Sequence, residues 1–248
     1  MLKFNALMIK SVDYADNDKI LTLFSLEQGV ISAKIRGVKK AGAKLKFAAE
    51  PFCFAEYMLT EGRLKSVANA SLIDSFYPLR EDLFRYYAAG TVAEFIRKFC
   101  PENVVHAALF LKTVRVLKDF AYTAVPAYAA LLHYLAAATK EIGYSLRFGG
   151  CACCGATPSR PFFDFTEGNV CCESCRKEGS AEMSRGTYEL FQALSETEEL
   201  TEEAFSRYNI DRVYYEKGLR LIGRYLRTVA EPLDSLTQLL GLYGAADK

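Results

Sequence analysis

The segment GGCACCGATPSRPFFDFTEGNVCCESCRKEG, residues 149–179, contains two cysteine pairs with the spacing Cys-x2-Cys. Cys151 and Cys154 form the first pair, and Cys172 and Cys175 form the second. This spacing lets both sulfurs of a pair face one ion, and two pairs supply the four ligands of a tetrahedral centre. The sequence therefore predicts one bound Zn²⁺ ion. That ion is expected to be structural, because four sulfurs leave no open position for a water molecule.

The residues between the two pairs predict a β-hairpin. Phe162, Phe163 and Phe165 favour one strand, Val170 favours the second, and the Glu-Gly-Asn sequence at 167–169 favours a turn between them. A hairpin of this size buries too little apolar surface to fold alone. We therefore expect the metal ion to hold this segment in its fold.

The other four cysteines leave alternatives open. Cys153 and Cys171 neighbour the two pairs, so a shifted set of metal ligands is possible. A disulfide framework would require an oxidising compartment, and the first residues do not resemble a signal peptide. A thioredoxin-type site would have a single Cys-x-x-Cys after a strand. Cys53 and Cys100 have apolar neighbours, which is typical of core positions.

The N-terminal part of the chain has the pattern of a small β-barrel. Residues 2–74 alternate apolar and polar side chains with the period of β-strands, and the glycines at 29 and 62 indicate turns. About five short strands in a segment of this length suit a closed barrel of the OB type. An SH3-like barrel would give a similar pattern.

A run of basic residues extends from the third predicted strand into the following loop, without an acidic residue. Side chains of a strand alternate between its faces, so Lys34 and Arg36 project from the same side. Small barrels bind single strands through such basic surfaces and nearby aromatic rings, for which Phe47 or Tyr57 are the preferred candidates. Alternatively, the strip is a solvated face that keeps the barrel soluble. The predicted DNA-binding residues are Lys34, Arg36, Lys39, Lys40, Lys44 and Lys46.

After Pro78, apolar residues recur at helical spacing, which predicts a helical region. Residues 121–139 carry no formal charge, but Pro126, His133 and many alanines indicate a buried helix and not a membrane span. His133 is then expected to be a core histidine with a hydrogen-bond partner. A helix predicted at 103–119 has three cations on one face, which is either solvated or docks an acidic partner. These cations are Lys112, Arg115 and Lys118.

The whole pattern predicts an α+β multidomain protein, with an N-terminal small β-barrel (OB-fold) and an all-α domain that contains an inserted four-cysteine zinc-finger hairpin. The 248 residues are 51% hydrophobic and 25% charged, which is typical of globular proteins. We expect the barrel at 1–77, the helical domain at 78–148 and 180–248, and the insertion at 149–179. Common catalytic motifs are absent from the sequence and it has two histidines, so we expect binding and not enzymatic turnover.

The order of these features resembles the RecO family of bacterial recombination mediators over nearly the full chain. The similar segments are DKILTLFS at 18–25, Gly29, RGVKK at 36–40, Pro51-Phe52, PLREDL at 78–83, and the cysteine pairs with Gly155 and Gly168. Departures from the family pattern are the additional Cys153 and Cys171, Glu50 before Pro51, and the Phe-Asp-Phe sequence at 163–165.

The resemblance implies a non-catalytic protein that binds single- and double-stranded DNA and anneals complementary strands. It also implies that RecR is a partner and that the two proteins help to load RecA onto DNA coated by single-stranded DNA-binding protein (SSB). The acidic tail of SSB is expected to bind the helical domain, and the location is expected to be cytoplasmic and nucleoid-associated. Two other classes stay open: a zinc-stabilised protein-interaction scaffold, and a zinc-ribbon nucleic-acid-binding factor without annealing activity.

Overall fold

The computed structural model describes residues 1–62 and 64–246. The chain divides into two compact units, Met1–Ala121 and Tyr122–Lys248. The first unit holds a β-barrel and two helices, and the second holds further helices and the cysteine-rich segment. The domain boundaries predicted from the sequence, which assign residues 78–121 to the helical domain, stay a prediction.

Strands of the first unit close into a barrel in the order β1-β2-β3-β5-β4. Neighbouring strands are antiparallel except for β3 and β5, which are parallel. A five-stranded barrel with this connection is the OB-fold, so the predicted fold class is confirmed. The strands are β1 (Leu2–Tyr14), β2 (Asp18–Ser25), β3 (Gly29–Ile35), β4 (Phe54–Thr60) and β5 (Ser66–Asp74).

Alternation along the strands builds the barrel core. Leu21 and Leu23 of β2 and Ala33 and Ile35 of β3 are fully buried inside it. Lys34 lies between two of these inward residues, and its side chain is therefore on the outer face of β3. The same pattern that fills the core thus places cations on the outside of the barrel.

The turn between β2 and β3 depends on a close backbone contact. Gly29 has a φ of +68°, and a Cβ atom there would lie 2.0 Å from the carbonyl oxygen of Val104. The N–H of Asn103 donates to the carbonyl oxygen of Val30 at 2.9 Å, which holds this segment beside the turn. Glycine is needed because it adopts the left-handed conformation freely and leaves room for the second backbone.

The helices of the first unit are α1 (Leu83–Phe99) and α2 (Ala107–Tyr122). Asp82 caps α1 by accepting the N–H of Arg85 at 3.0 Å. Phe110 of α2 contacts Phe24 and Phe54 of the barrel, with ring centroids 5.4 Å and 6.1 Å apart. The barrel and α2 therefore share an apolar contact within the first unit.

The second unit contains α3 (Ala127–Glu141), α4 (Arg185–Ser195), α5 (Glu202–Tyr208), α6 (Arg212–Leu226) and α7 (Asp234–Ala246). Pro126 stands immediately before α3, where its fixed φ is compatible with the start of a helix. His133 is half-buried, and its Nε2 lies 2.9 Å from the carbonyl oxygen of Thr197, as expected for a core histidine with a partner. Within residues 1–62 and 64–246, no helix is long and apolar enough to span a membrane.

The cysteine-rich segment forms a three-stranded sheet of β6 (Phe162–Asp164), β7 (Asn169–Cys171) and β8 (Ala181–Glu182). The predicted hairpin of β6 and β7 is confirmed, whereas β8 was not predicted because two residues give no periodicity. Phe148 stacks between Phe163 of the sheet and Phe191 of α4, with centroids 5.7 Å and 4.2 Å apart. These rings give the hairpin an apolar base within the second unit.

Candidate metal centre and nucleic-acid interface

The four cysteines of the two Cys-x2-Cys pairs lie at one end of the hairpin. The sulfurs of Cys151, Cys154, Cys172 and Cys175 all lie within 4.8 Å of one another. A tetrahedral zinc ion with Zn–S bonds of about 2.3 Å requires sulfurs about 3.8 Å apart. The Sγ atoms of Cys154 and Cys172 are 3.9 Å apart, so this set can hold a metal ion of that size.

The electrostatics of the cluster also suit a cation. Burial acts to raise the pKa of the Cys151 thiol, but nearby backbone N–H groups, above all that of Cys172, outweigh it and lower the pKa to about 6. The pKa of Cys175 is raised, because its thiol shares hydrogen bonds with Cys172 and Cys154. Four adjacent sulfurs cannot all lose their protons unless a positive charge compensates them, and a bound metal ion supplies that charge.

The turn of the hairpin is closed by a carboxylate. Asp164 accepts the N–H groups of Thr166 and Glu167 at 2.9 Å and 3.2 Å, and Lys177 lies 3.4 Å from its second oxygen. Asp164 belongs to the Phe-Asp-Phe departure from the family pattern, and its carboxylate here closes the turn that returns β7 toward Cys172.

The two additional cysteines have different surroundings. Cys153 is exposed to solvent. Cys171 is buried in β7 with its Sγ 3.7 Å from Oδ1 of Asn169, and burial raises the pKa of its thiol to about 11. The sulfurs of the regularly spaced set all lie within 4.8 Å of one another, so the geometry favours this set over one that includes Cys171. Cys53 and Cys100 are buried as expected, and burial raises their pKa values to about 11 and about 12.

The predicted DNA-binding cations lie on β3 and the loop that follows it, and two of them are paired with carboxylates. Nζ of Lys34 is 2.8 Å from Asp18, and Nζ of Lys39 is 2.7 Å from Asp13. Asp18 also accepts the N–H of Gly37 at 2.8 Å. Lys34, followed by this N–H, lowers the pKa of Asp18, so the carboxylate stays charged and competes with phosphate for Lys34.

The other cations of this strip are exposed, and no carboxylate of the described residues forms an ion pair with them. They extend from the end of β3 to a short 3₁₀ helix, Lys46–Ala49. An exposed cation without an intramolecular partner is available to a phosphate group. We call these residues the free strip: Arg36, Lys40, Lys44 and Lys46.

The aromatic candidates from the sequence differ in exposure. Tyr57 is completely buried and donates its hydroxyl to the carbonyl oxygen of Ala48 at 2.8 Å. Its predicted role in base stacking is therefore wrong. Phe47 is half-buried and packs against the barrel core. Tyr14 is an exposed aromatic residue at the end of β1 that is not among the candidates from the sequence. The apolar pattern at residues 7–9 did not indicate that β1 continues as far as this residue.

The predicted partner-binding cations lie on α2. Arg115 Nε is 3.1 Å from Asp119, Lys112 is half-buried, and Lys118 is exposed. The expected helical face is thus present, and Asp119 reduces its positive charge.

The second unit contains an apolar groove along α6 with a cavity volume of about 390 Å³. Phe163, Phe165 and Met183 contribute to its walls, and the guanidinium of Arg224 lies 4.0 Å from the ring centre of Phe165. Lys217 and Arg220 line the same groove and add positive charge. A groove of this kind suits a ligand that has both apolar and acidic groups.

Comparison with known proteins gives matches over nearly the whole chain. The family model described as "Recombination protein O N terminal" matches residues 1–76, and "Recombination protein O C terminal" matches residues 80–237. A DNA repair protein RecO of Syntrophomonas wolfei is 27% identical over 206 residues, 82% of each chain. Those of Desulforamulus reducens and Pelotomaculum thermopropionicum are 30% and 31% identical over 210 and 198 residues. These matches cover 77% and 78% of this chain and 76% and 77% of the relatives.

Proposed function

The chain belongs to the recombination protein O family of DNA repair proteins, and we propose that it is a recombination mediator. It binds single- and double-stranded DNA and anneals complementary strands without catalytic turnover. The observation that carries this proposal is the free strip, which presents exposed and unpaired cations on an OB barrel. OB barrels commonly bind nucleic acid, and unpaired cations are what a phosphate backbone requires.

Annealing follows from charge neutralisation. Two single strands repel each other through their phosphates, and cations on the barrel reduce that repulsion when they bind the backbone. Because contacts to phosphate leave the base edges unoccupied, a bound strand can still pair with its complement. Annealing is therefore independent of sequence and weakens as salt is added.

The test is annealing of two complementary oligonucleotides, one with a fluorophore and one with a quencher, at low salt. Replacement of Arg36, Lys40 and Lys44 by alanine is expected to slow annealing at least tenfold. A control with Lys140, Arg185 and Arg207 replaced by alanine loses the same charge from exposed positions on the second unit. Unchanged annealing by the first variant would refute the placement of the DNA on this strip.

We infer that the metal is zinc and that its role is structural. Four thiolates satisfy its coordination and join the two ends of the hairpin, which supplies folding energy to a small segment. The cysteines hold the ion, and the rest of the hairpin orients them.

We propose that RecR is a partner and that, with RecR, the protein helps to load RecA onto DNA coated by SSB in the nucleoid. The acidic tail of SSB requires a positive and apolar surface. The sequence points to Lys112, Arg115 and Lys118 on α2 for this contact. The groove along α6 is a second candidate, because it combines aromatic walls with Arg220 and Arg224.

Charge reversal distinguishes the two surfaces. One variant changes Lys112, Arg115 and Lys118 to glutamate, and the other changes Arg220 and Arg224. Anisotropy of a labelled SSB-tail peptide is measured with each variant. Loss of binding in one variant assigns the tail to that surface, and full binding in both would refute the helical region as its site.

A further inference from the structure

Tyr14 is an exposed aromatic residue on the outer face of the barrel. It ends β1, pairs across the strand with Asp18, and shares its face with Val12, which pairs with Ile20. Ile20 in turn pairs with Lys34 of β3. The outer face of β1, β2 and β3 therefore contains an aromatic ring, two aliphatic side chains and a cation in adjacent positions.

The ring of Tyr14 is held by a cation on one side. Nζ of Lys34 lies 4.6 Å from the ring centre, and the ion pair with Asp18 at 2.8 Å fixes Lys34 in turn. Tyr14 is nevertheless 48% exposed. Lys34 lies over the ring, and the exposed fraction of the residue leaves part of the side chain in contact with solvent, so the ring is positioned before any ligand arrives.

We propose that Tyr14 is a stacking platform for one base of a single strand whose phosphates bind the free strip. This inference rests on the proposed DNA-binding function and adds to it a contact that only an unpaired base can make. An open aromatic face accepts any base, which suits binding without sequence preference. Arg36 lies two residues after Lys34, and both cations act on Asp18, the cross-strand partner of Tyr14, so the free strip begins close to the platform.

The platform distinguishes single strands from duplex. In a duplex both faces of each internal base are covered by neighbouring bases, so the ring of Tyr14 has no base face to cover. Tyr14 therefore contributes to single-strand affinity and not to duplex affinity. The free strip contributes to both, because both ligands offer phosphates.

The experiment measures anisotropy at low salt with three ligands of one length: an oligothymidylate, an abasic strand with the same backbone, and a duplex. Stacking on an aromatic side chain corresponds to about a tenfold change in affinity. Tyr14→Ala is expected to weaken oligothymidylate binding about tenfold and to leave the abasic strand and the duplex unchanged. Tyr14→Phe should retain binding, because the aromatic face is kept.

Tyr14→Leu and Tyr77→Ala complete the set. Leucine preserves an apolar side chain on the strand but has no aromatic face, so its loss should match that of alanine. Tyr77 is 57% exposed and has Arg80 5.9 Å from its ring centre, which makes it a matched control that should bind normally. Equal losses of Tyr14→Ala on all three ligands, or no loss on any, would overturn the platform. If the unmodified protein binds no ligand, the proposed function itself fails.

Discussion

The free strip makes the salt dependence of single-strand binding a quantitative prediction. Each phosphate that is neutralised on a single strand contributes about 0.7 to the slope of log K against log salt. Lys34 and Lys39 already have carboxylate partners, so a net contribution is expected from the four residues of the free strip. The slope is then about −2.8, and affinity falls about 50-fold between 50 mM and 200 mM salt.

Replacement of Arg36, Lys40 and Lys44 by alanine leaves one residue of the free strip. The predicted slope is about −0.7, which corresponds to a loss of about threefold over the same salt range. Fluorescence anisotropy of a labelled oligothymidylate in a salt series measures both slopes. The Lys140, Arg185 and Arg207 alanine variant has the same net charge, and its slope should match that of the unmodified protein.

Two results would refute this reasoning. An unchanged slope in the free-strip variant would show that its cations do not contact phosphate. An equal decrease in both variants would show that net charge and not position determines binding.

Further predictions concern the carboxylate partner, the metal and the barrel turn. Asp18→Asn frees Lys34, so the affinity for a single strand and the steepness of its salt dependence should rise. The pKa of Asp18 is lowered from its ordinary 3.8, mainly by Lys34, so the ionised carboxylate stabilises the fold above pH 3.8 and this stabilisation is lost as the pH falls through the lowered pKa. The melting temperature of the variant should therefore vary less with pH in this range than that of the unmodified protein. Metal analysis should give one zinc per chain for Cys153→Ser and none for Cys172→Ser, and a full zinc content in the latter would contradict the ligand set. Gly29→Ala should lower the free energy of unfolding, measured by denaturant titration, by more than about 3 kcal/mol. Gly42→Ala is the control, because Gly42 also has a positive φ but has open space around it, and this change should lower the free energy of unfolding by about 1 kcal/mol. Equal losses in the two variants would exclude the contact of residue 29 with Val104.

The resemblance to the RecO family and the local patterns of the sequence both predicted an N-terminal β-barrel followed by a helical region. The alternation at residues 20–35 predicted barrel strands because side chains of a strand point to opposite faces every second residue. The apolar spacing after Pro78 predicted a helical region because it has the helical period, and the helices α1 to α7 all lie in that region. Each of these signals is confined to one segment.

The sequence did not show which aromatic side chains of the barrel are buried and which are exposed. Tyr57 and Tyr14 both lie in strands of the same barrel, yet the first is completely buried and the second is half exposed. The difference arises because Tyr57 points inward toward Ala48 while Tyr14 lies on the outer face beyond a register shift in β1 between Met8 and Lys10. A shift of register exchanges the two faces of a strand, and its position depends on the partner strand.

By itself, the sequence determined the spacing of the four cysteines, the strand and helix periods, and the presence of an uninterrupted basic run, because each of these is a relation between near neighbours. Only the tertiary structure decided which cations are free. Asp13 and Asp18 reach Lys39 and Lys34 because the β1–β2 turn folds back beside β3, which brings together residues 16 to 26 positions apart in the chain. Pairing between charges depends on distance in space, and a linear pattern of cations contains no information about the carboxylates that fold against it.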